Sequence, residues 1–297
     1  MSIFIITGIS GSGKSVALRA LEDAGYDCVD NLPVSLLENL VETLQTSGSE
    51  HIAVAIDARR GLSIQEIPTI IAKLKKHLSV QLIFLNATNE ALLKRFSETR
   101  RRHPLSAKNL DHSQKSLIDA IDLERQMLSS LSENALQIDT SNALSSSLRQ
   151  WILDLTENTQ PGLTLLLESF GFKSGLPQDA DLVFDLRCIP NPYYEDALRH
   201  LSGNDQEVVD FLNLQPDFEK LRQDILLFIH NWLPKYQKSG RSYLTVGVGC
   251  TGGQHRSVAM VNHLFLSCSK NQTDLFKNIN CLYRHRDLSA AHNKSPH

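Results

Sequence analysis

Gly8-Ile9-Ser10-Gly11-Ser12-Gly13-Lys14-Ser15 follows the apolar run Ile3-Phe4-Ile5-Ile6 and precedes an amphipathic stretch over residues 15–24. The octapeptide fits G-x-x-x-x-G-K-[ST] between a strand and a helix, the context in which this pattern builds a phosphate-binding loop. Its glycines let backbone N–H groups turn toward the α- and β-phosphates. The Lys14 ammonium reaches the β/γ oxygens, and the Ser15 hydroxyl is placed to hold Mg²⁺. The helix N-terminus adds partial positive charge. All eight residues are therefore expected to bind a purine nucleoside triphosphate, ATP or GTP.

Working outward, short apolar runs at residues 51–56 and 80–85 read as parallel strands covered on both faces. Helical patterns cover residues 64–78, 89–102, 113–132 and 143–155, with a short strand at 136–138. Strands alternating with helices predict an α/β domain with a mostly parallel sheet, a P-loop NTPase or kinase-like fold, over residues 1–157. The turn-forming residues 157–162 read as a linker. A second α/β domain is expected over residues 163–297, with strands at 163–168, 181–186 and 243–248, an amphipathic helix at 217–232 and another opening near Ser257.

An acidic residue closing a buried strand faces the sheet edge where open α/β folds bind ligands. Asp57, with Ala58, Arg59 and Arg60, is accordingly a second nucleotide-site candidate, and Asp57 joins Ser15 as an expected Mg²⁺ ligand. The cations Lys94, Arg95, Arg100, Arg101 and Arg102 read either as a phosphate-clamping lid or as a solvated helix face.

The glycine-rich segment Gly247–Ser257 contains Cys250 and Arg256 at the C-x₅-R spacing of cysteine-dependent phosphatases. Such a loop aims N–H groups and a guanidinium at an anion. Anion binding without covalent chemistry, phosphatase chemistry at Cys250, and a plain strand–turn–helix corner all remain open from the residues alone.

The chain has 297 residues, 41% apolar and 21% charged, which fits two globular domains rather than a disordered polymer. Five scattered cysteines make neither a disulfide framework nor a C-x-x-C zinc site. No apolar run approaches the roughly 20 residues of a membrane span, and no secretory leader is legible at the N-terminus, so a cytoplasmic protein without membrane association is expected. The net charge of −3 excludes indiscriminate coating of nucleic acid, but residues 270–297 carry five Lys/Arg against two Asp. Lys270, Lys277, Arg284, His285 and Arg286, with Tyr283, read as a tail able to follow an RNA backbone, or as a solvated terminus.

Several motifs together resemble the RapZ/YvcJ family of P-loop nucleotide-binding proteins. They are the octapeptide, residues 26–33 (YDCVDNLP), Asp57-Ala58-Arg59, residues 95–101 (RFSETRR), residues 169–173 (SFGFK), residues 179–187, Pro190-Asn191-Pro192 and residues 249–257 (GCTGGQHRS). The resemblance runs from residue 1 to about 287. It implies ATP at Gly8–Ser15 and GTP at Asp57–Arg60, with slow hydrolysis. It also implies a C-terminal sugar-phosphate-binding domain, with Thr251, Gly252, Gly253, His255 and Arg256 holding an amino-sugar phosphate such as glucosamine-6-phosphate. For the enteric branch it implies small regulatory RNA and presentation of that RNA to an endoribonuclease, and for the family as a whole homo-oligomers. The chain departs from the family pattern at Arg60, Ser174 and Tyr193, and in its sparse basic tail. The resulting expectation is a regulatory adaptor; the alternatives are a metabolite kinase using the P-loop and the Arg95–Arg102 lid, or a phosphatase at Cys250.

Overall fold

The computed structural model describes residues 2–56, 67–100, 102–105, 114–156, 163–270 and 279–288. The chain divides into two compact units, Met1–Thr159 and Gln160–His297. The first opens on β1 (Ser2–Gly8), every residue of which is buried. Around it lie β2 (Asp27–Leu32), β3 (His51–Ile56), β4 (Ser79–Asn86) and β5 (Leu136–Asp139), in the order β2-β3-β1-β4-β5 and all parallel. Central position explains the unbroken apolar run of β1: a parallel strand with neighbours on both sides and helices on both faces has no polar face to show.

Helices α1 (Lys14–Asp23), α2 (Leu37–Thr46), α3 (Ile67–Leu74), α4 (Asn89–Thr99), α5 (Gln114–Ser132) and α6 (Ser145–Thr156) complete the unit among the described residues. The apolar core joins Ile3, Ile5, Val54 and Leu82 of the sheet to Leu37, Leu92, Ile121 and Leu128 of the helices. Helix α4 stops at Thr99, earlier than the expected 102, because Arg100 turns into the left-handed region at φ 51°. Gly8 ends β1 at φ 137°, and a Cβ there would lie 2.1 Å from the Leu85 carbonyl oxygen. Only glycine lets the chain leave the sheet at this point and enter the phosphate loop.

The second unit contains β6 (Leu163–Gly171), β7 (Leu182–Asp185), α7 (Gln206–Asn213), α8 (Pro216–Lys238), β8 (Tyr243–Cys250), α9 (Arg256–Lys270) and β9 (Ile279–His285). Its sheet is parallel, in the order β7-β8-β6-β9. Leu163, Leu165 and Leu167 of β6 and Leu244, Val246 and Val248 of β8 share a core with Val208 of α7, Ile225 and Ile229 of α8, and Leu264 of α9. The alternation is that of a strand showing one side to the helices.

Strand β9 corrects the reading of a basic tail. Residues 279–285 pair with Leu163–Ser169 of β6, with Glu168 opposite Arg284 and Ser169 opposite His285. Arg284, His285 and Arg286 are therefore buried, not solvated. Arg284 donates to Glu168 Oε1 at 2.9 Å and to Asp179 Oδ2. His285 meets Ser169 Oγ at 2.8 Å and Asn262 Oδ1 at 3.1 Å. Arg286 donates to the Gly175 carbonyl at 2.7 Å. Charges held this way by internal carboxylates and carbonyls are not available to an RNA phosphate. Of the other two residues of that tail, Lys270 is the last of α9 and Lys277 lies outside the described residues.

Candidate functional site

The phosphate loop leaves β1 with Ile9 N–H donating to Leu85 O at 3.1 Å and closes with Ser12 N–H on Ile9 O at 3.0 Å. Lys14, the first residue of α1, turns its ammonium back onto the carbonyls of Gly8 (2.5 Å) and Ile9 (3.1 Å). The loop lines a cavity of about 600 Å³. Ser15 lines it as well, and its hydroxyl is a hard oxygen of the kind that Mg²⁺ takes as a ligand. The other expected metal and nucleotide residues, Asp57, Ala58, Arg59 and Arg60, lie outside the described residues.

A carboxylate that sequence reasoning missed holds the loop from beneath. Glu124 of α5 accepts the Ser10 N–H at Oε2 and the Ser10 hydroxyl at Oε1, both at 2.8 Å. His103 Nε2 lies 3.1 Å from the same Oε2, while its Nδ1 accepts the Leu105 N–H at 3.2 Å. That acceptor role leaves the proton on Nε2, so His103 donates to Glu124. Burial works to raise the Glu124 carboxyl, but His103, the Lys14 charge and both Ser10 donors outweigh it and hold it below its ordinary value. The carboxylate stays ionised in a nearly closed environment. Glu124 and Ser10 stand 114 positions apart, with no local pattern joining them, so no sequence signal marks the pair.

Of the cations read as a lid or a solvated face, two line the cavity. Arg95 donates to Gly11 O at 3.2 Å, to Thr140 Oγ1 at 3.1 Å and to Thr140 O. Arg102 lines the cavity beside Pro104. Lys94 and Arg100 are exposed, and Arg101 lies outside the described residues. Thr140 ties the segment after β5 to the loop as well, donating from its hydroxyl to Ser12 O at 2.9 Å.

In the second unit the glycine-rich loop joins β8 to α9. Thr251 is exposed, whereas Gly253, His255 and Arg256 are buried. Gly253 stands at φ 72°, where a Cβ would lie 2.7 Å from the Gly171 nitrogen. The Arg256 guanidinium donates to the carbonyls of Ile189 (2.8 Å) and Arg187 (3.4 Å) and to Thr251 Oγ1 (3.2 Å), so it braces the loop against residues 186–189. Its Nε and the Nε2 of His255 are buried without a hydrogen-bond partner among the described residues, and burial lowers the His255 imidazole from its ordinary value. Lys173 N–H donates to Thr251 O at 3.2 Å, which brings the 172–174 turn, with the exposed Ser174, against the loop.

Cys250 is 3% exposed. Its Sγ accepts the Gly253 N–H at 3.3 Å and lies 3.2 Å from Ser257 Oγ.

Comparison with known proteins covers nearly the whole chain. A family model described as the RapZ-like N-terminal domain matches residues 1–159, and one described as the RapZ C-terminal domain matches residues 163–289. A nucleotide-binding protein of Polynucleobacter asymbioticus is 55% identical over 292 residues, 98% of each chain. Another from Paraburkholderia phytofirmans is 49% identical over 291 residues, 97% of this chain and 96% of that one. Among solved structures, the YorR protein of Bacillus subtilis in complex with phosphorylated GDP matches at 17% identity with a TM-score of 0.37, over 52% of this chain and 95% of that one.

Proposed function

Because this chain belongs to the RapZ-like family, we propose that it is a nucleotide-binding regulator whose first unit takes ATP or GTP and whose second unit takes an amino-sugar phosphate. The observation that carries the proposal is the cavity of about 600 Å³ lined by Ser10 to Val16, with Lys14 and Ser15 in its wall. A triphosphate offers Lys14 better acceptors than the two carbonyls it now meets. Mg²⁺ would be held by Ser15 Oγ and the nucleotide, and would neutralise charge between the phosphates. The names of the relatives at 55% and 49% identity, both nucleotide-binding proteins, support this reading.

The loop at Thr251, Gly252, Gly253, His255 and Arg256 supports the second ligand. It presents Thr251 at the surface, and two buried nitrogens, of His255 and Arg256, have no hydrogen-bond partner among the described residues. Glucosamine-6-phosphate fits the charge and hydroxyl chemistry that such a loop recognises. Small RNA and an endoribonuclease belong to the proposal through the family motifs, not through residues 284–286, whose burial removes them as contacts. Hydrolysis is expected to be slow and to serve switching.

Titration of the full chain with Mg-ATP tests the core of the reading. Micromolar binding that Lys14→Ala abolishes is expected, as is turnover that no small-molecule acceptor accelerates. A metabolite kinase has one observation in its favour, the presence of Arg95 and Arg102 in the same cavity wall. Turnover rising sharply with one sugar or alcohol would establish it instead. A phosphatase at Cys250 is disfavoured by the shielded thiol.

A further inference from the structure

The carboxylate beneath the phosphate loop has a second partner, which belongs to a different part of the cavity wall. Arg102 and Pro104 line the cavity. His103, between them, does the opposite: its side chain is 0% exposed. Pro104 disfavours a helical backbone at His103, and in an extended chain successive side chains point to opposite sides. Burying His103 therefore leaves its two neighbours on the cavity side.

Three contacts fix the His103 ring. Nε2 donates to Glu124 Oε2 at 3.1 Å, Nδ1 accepts the Leu105 N–H at 3.2 Å, and Phe96 packs against it with ring centroids 5.3 Å apart. Phe96 itself abuts the phosphate loop, since a Cβ on Gly11 would lie 3.3 Å from its ring. Glu124 holds the Ser10 N–H with the same Oε2 and the Ser10 hydroxyl with Oε1. One buried carboxylate thus joins the loop to the segment that carries Arg102. A guanidinium presents paired donors to phosphate oxygens, but a long side chain loses conformational freedom when it binds. Fixing its backbone beforehand removes part of that loss.

Resting on the nucleotide reading above, we propose that His103 is a positioning residue for nucleotide binding: through its bond to Glu124 it holds residues 102–105 in register with the phosphate loop and so presents Arg102 to the phosphates. His103 touches no ligand. Its whole effect passes through Arg102, and Glu124 is the shared anchor that keeps loop and guanidinium at a fixed spacing.

The test is a double-mutant cycle on the full chain, read as the Kd for Mg-ATP. His103→Phe keeps a ring against Phe96 and removes the donor, and Arg102→Ala removes the guanidinium. Each is expected to raise the Kd about tenfold, the worth of one charge-assisted hydrogen bond. The double variant is expected to match Arg102→Ala alone. His103→Gln, which keeps a donor for Glu124 and an acceptor for the Leu105 N–H, restores binding. A purely structural His103 would weaken ATP by the same factor with or without Arg102, and that result overturns the proposal, as does a Kd unmoved by either single variant. If His103→Phe does not fold, His103→Asn, too short to reach Glu124, takes its place in the cycle. A wild-type chain that does not bind Mg-ATP, or binds it equally well with Lys14→Ala, refutes the nucleotide reading itself, and the two failures are thus told apart.

Discussion

Replacing Glu124 by alanine is the most direct test of how the phosphate loop is held. The side chain is 2% exposed and accepts three hydrogen bonds, from Ser10 N–H, Ser10 Oγ–H and His103 Nε2–H. Hydrogen bonds to a charged group contribute about 1.5–3 kcal/mol each, but bonds to one carboxylate are not additive, and the hydroxyl can rotate to another acceptor. The lasting loss is two buried N–H donors without a partner and the cavity of a missing side chain. That sums to about 3–5 kcal/mol. For a unit of this size each kcal/mol moves the melting temperature by about 2–4 °C, so Glu124→Ala lowers it by roughly 10 °C.

Glu124→Gln separates shape from charge. Its carbonyl oxygen can accept from both Ser10 N–H and His103, and its amide can face a rotated Ser10 hydroxyl, so the loss is about 1–2 kcal/mol. Because the folded state holds the Glu124 carboxyl below its ordinary value, its ionic contribution is complete above the unfolded value of 4.5 and is lost as pH falls through the depressed folded one. The gap between wild type and Glu124→Gln is therefore constant at neutral pH and closes in acid. Urea unfolding of the three proteins at pH 7 and pH 4 is the assay. An alanine variant within 1 kcal/mol of wild type, or a glutamine variant as unstable as the alanine one, would refute the reasoning.

Three further outcomes are expected. Gly8→Ala puts a Cβ 2.1 Å from Leu85 O at a left-handed position, and costs roughly 3 kcal/mol or more because backbone must move; a denaturation midpoint equal to wild type would contradict the close approach. Arg284→Met strands Glu168 and Asp179 in the interior and costs about 3–5 kcal/mol, whereas an arginine on a solvated tail would be replaced at no cost to the unfolding curve. Burial pushes the Glu168 carboxyl up to about 7 and the His285 imidazole down to about 4. Glu168 takes its proton more readily folded than unfolded, so it adds stability as pH falls from about 7 toward 4.5, while His285 takes its proton less readily folded and removes stability as pH falls from 6.5 toward 4. Within the shared window the two oppose each other. His285→Gln deletes the second effect, and its melting temperature, measured relative to wild type, rises as pH falls from 6.5 to 5; no relative change would count against the His285 assignment.

The stretch Ser2–Ser15 was legible without a structure. A phosphate loop is a local device: strand, glycine turn, lysine and helix start lie within Ser2–Ser15, and each acts through backbone geometry that its own residue type dictates. The apolar runs of β1, β3 and β4 carried the parallel sheet for the same reason, since burial on both faces is written into consecutive residues. The two-unit division followed from a break in that pattern. What local pattern could not settle was where charged side chains point. Residues 279–285 interleave apolar and polar types in a way that suits an edge strand as well as a basic terminus, and only the pairing of β9 with β6 brings Glu168 and Asp179 to Arg284. The placement of Glu124 under Ser10, of His103 against Glu124, and of Arg95 on Gly11 and Thr140 likewise depends on contacts between distant segments. Backbone conformation is determined by neighbours in the chain, whereas the partner of a buried charge is determined by neighbours in space, and only the tertiary structure supplies those.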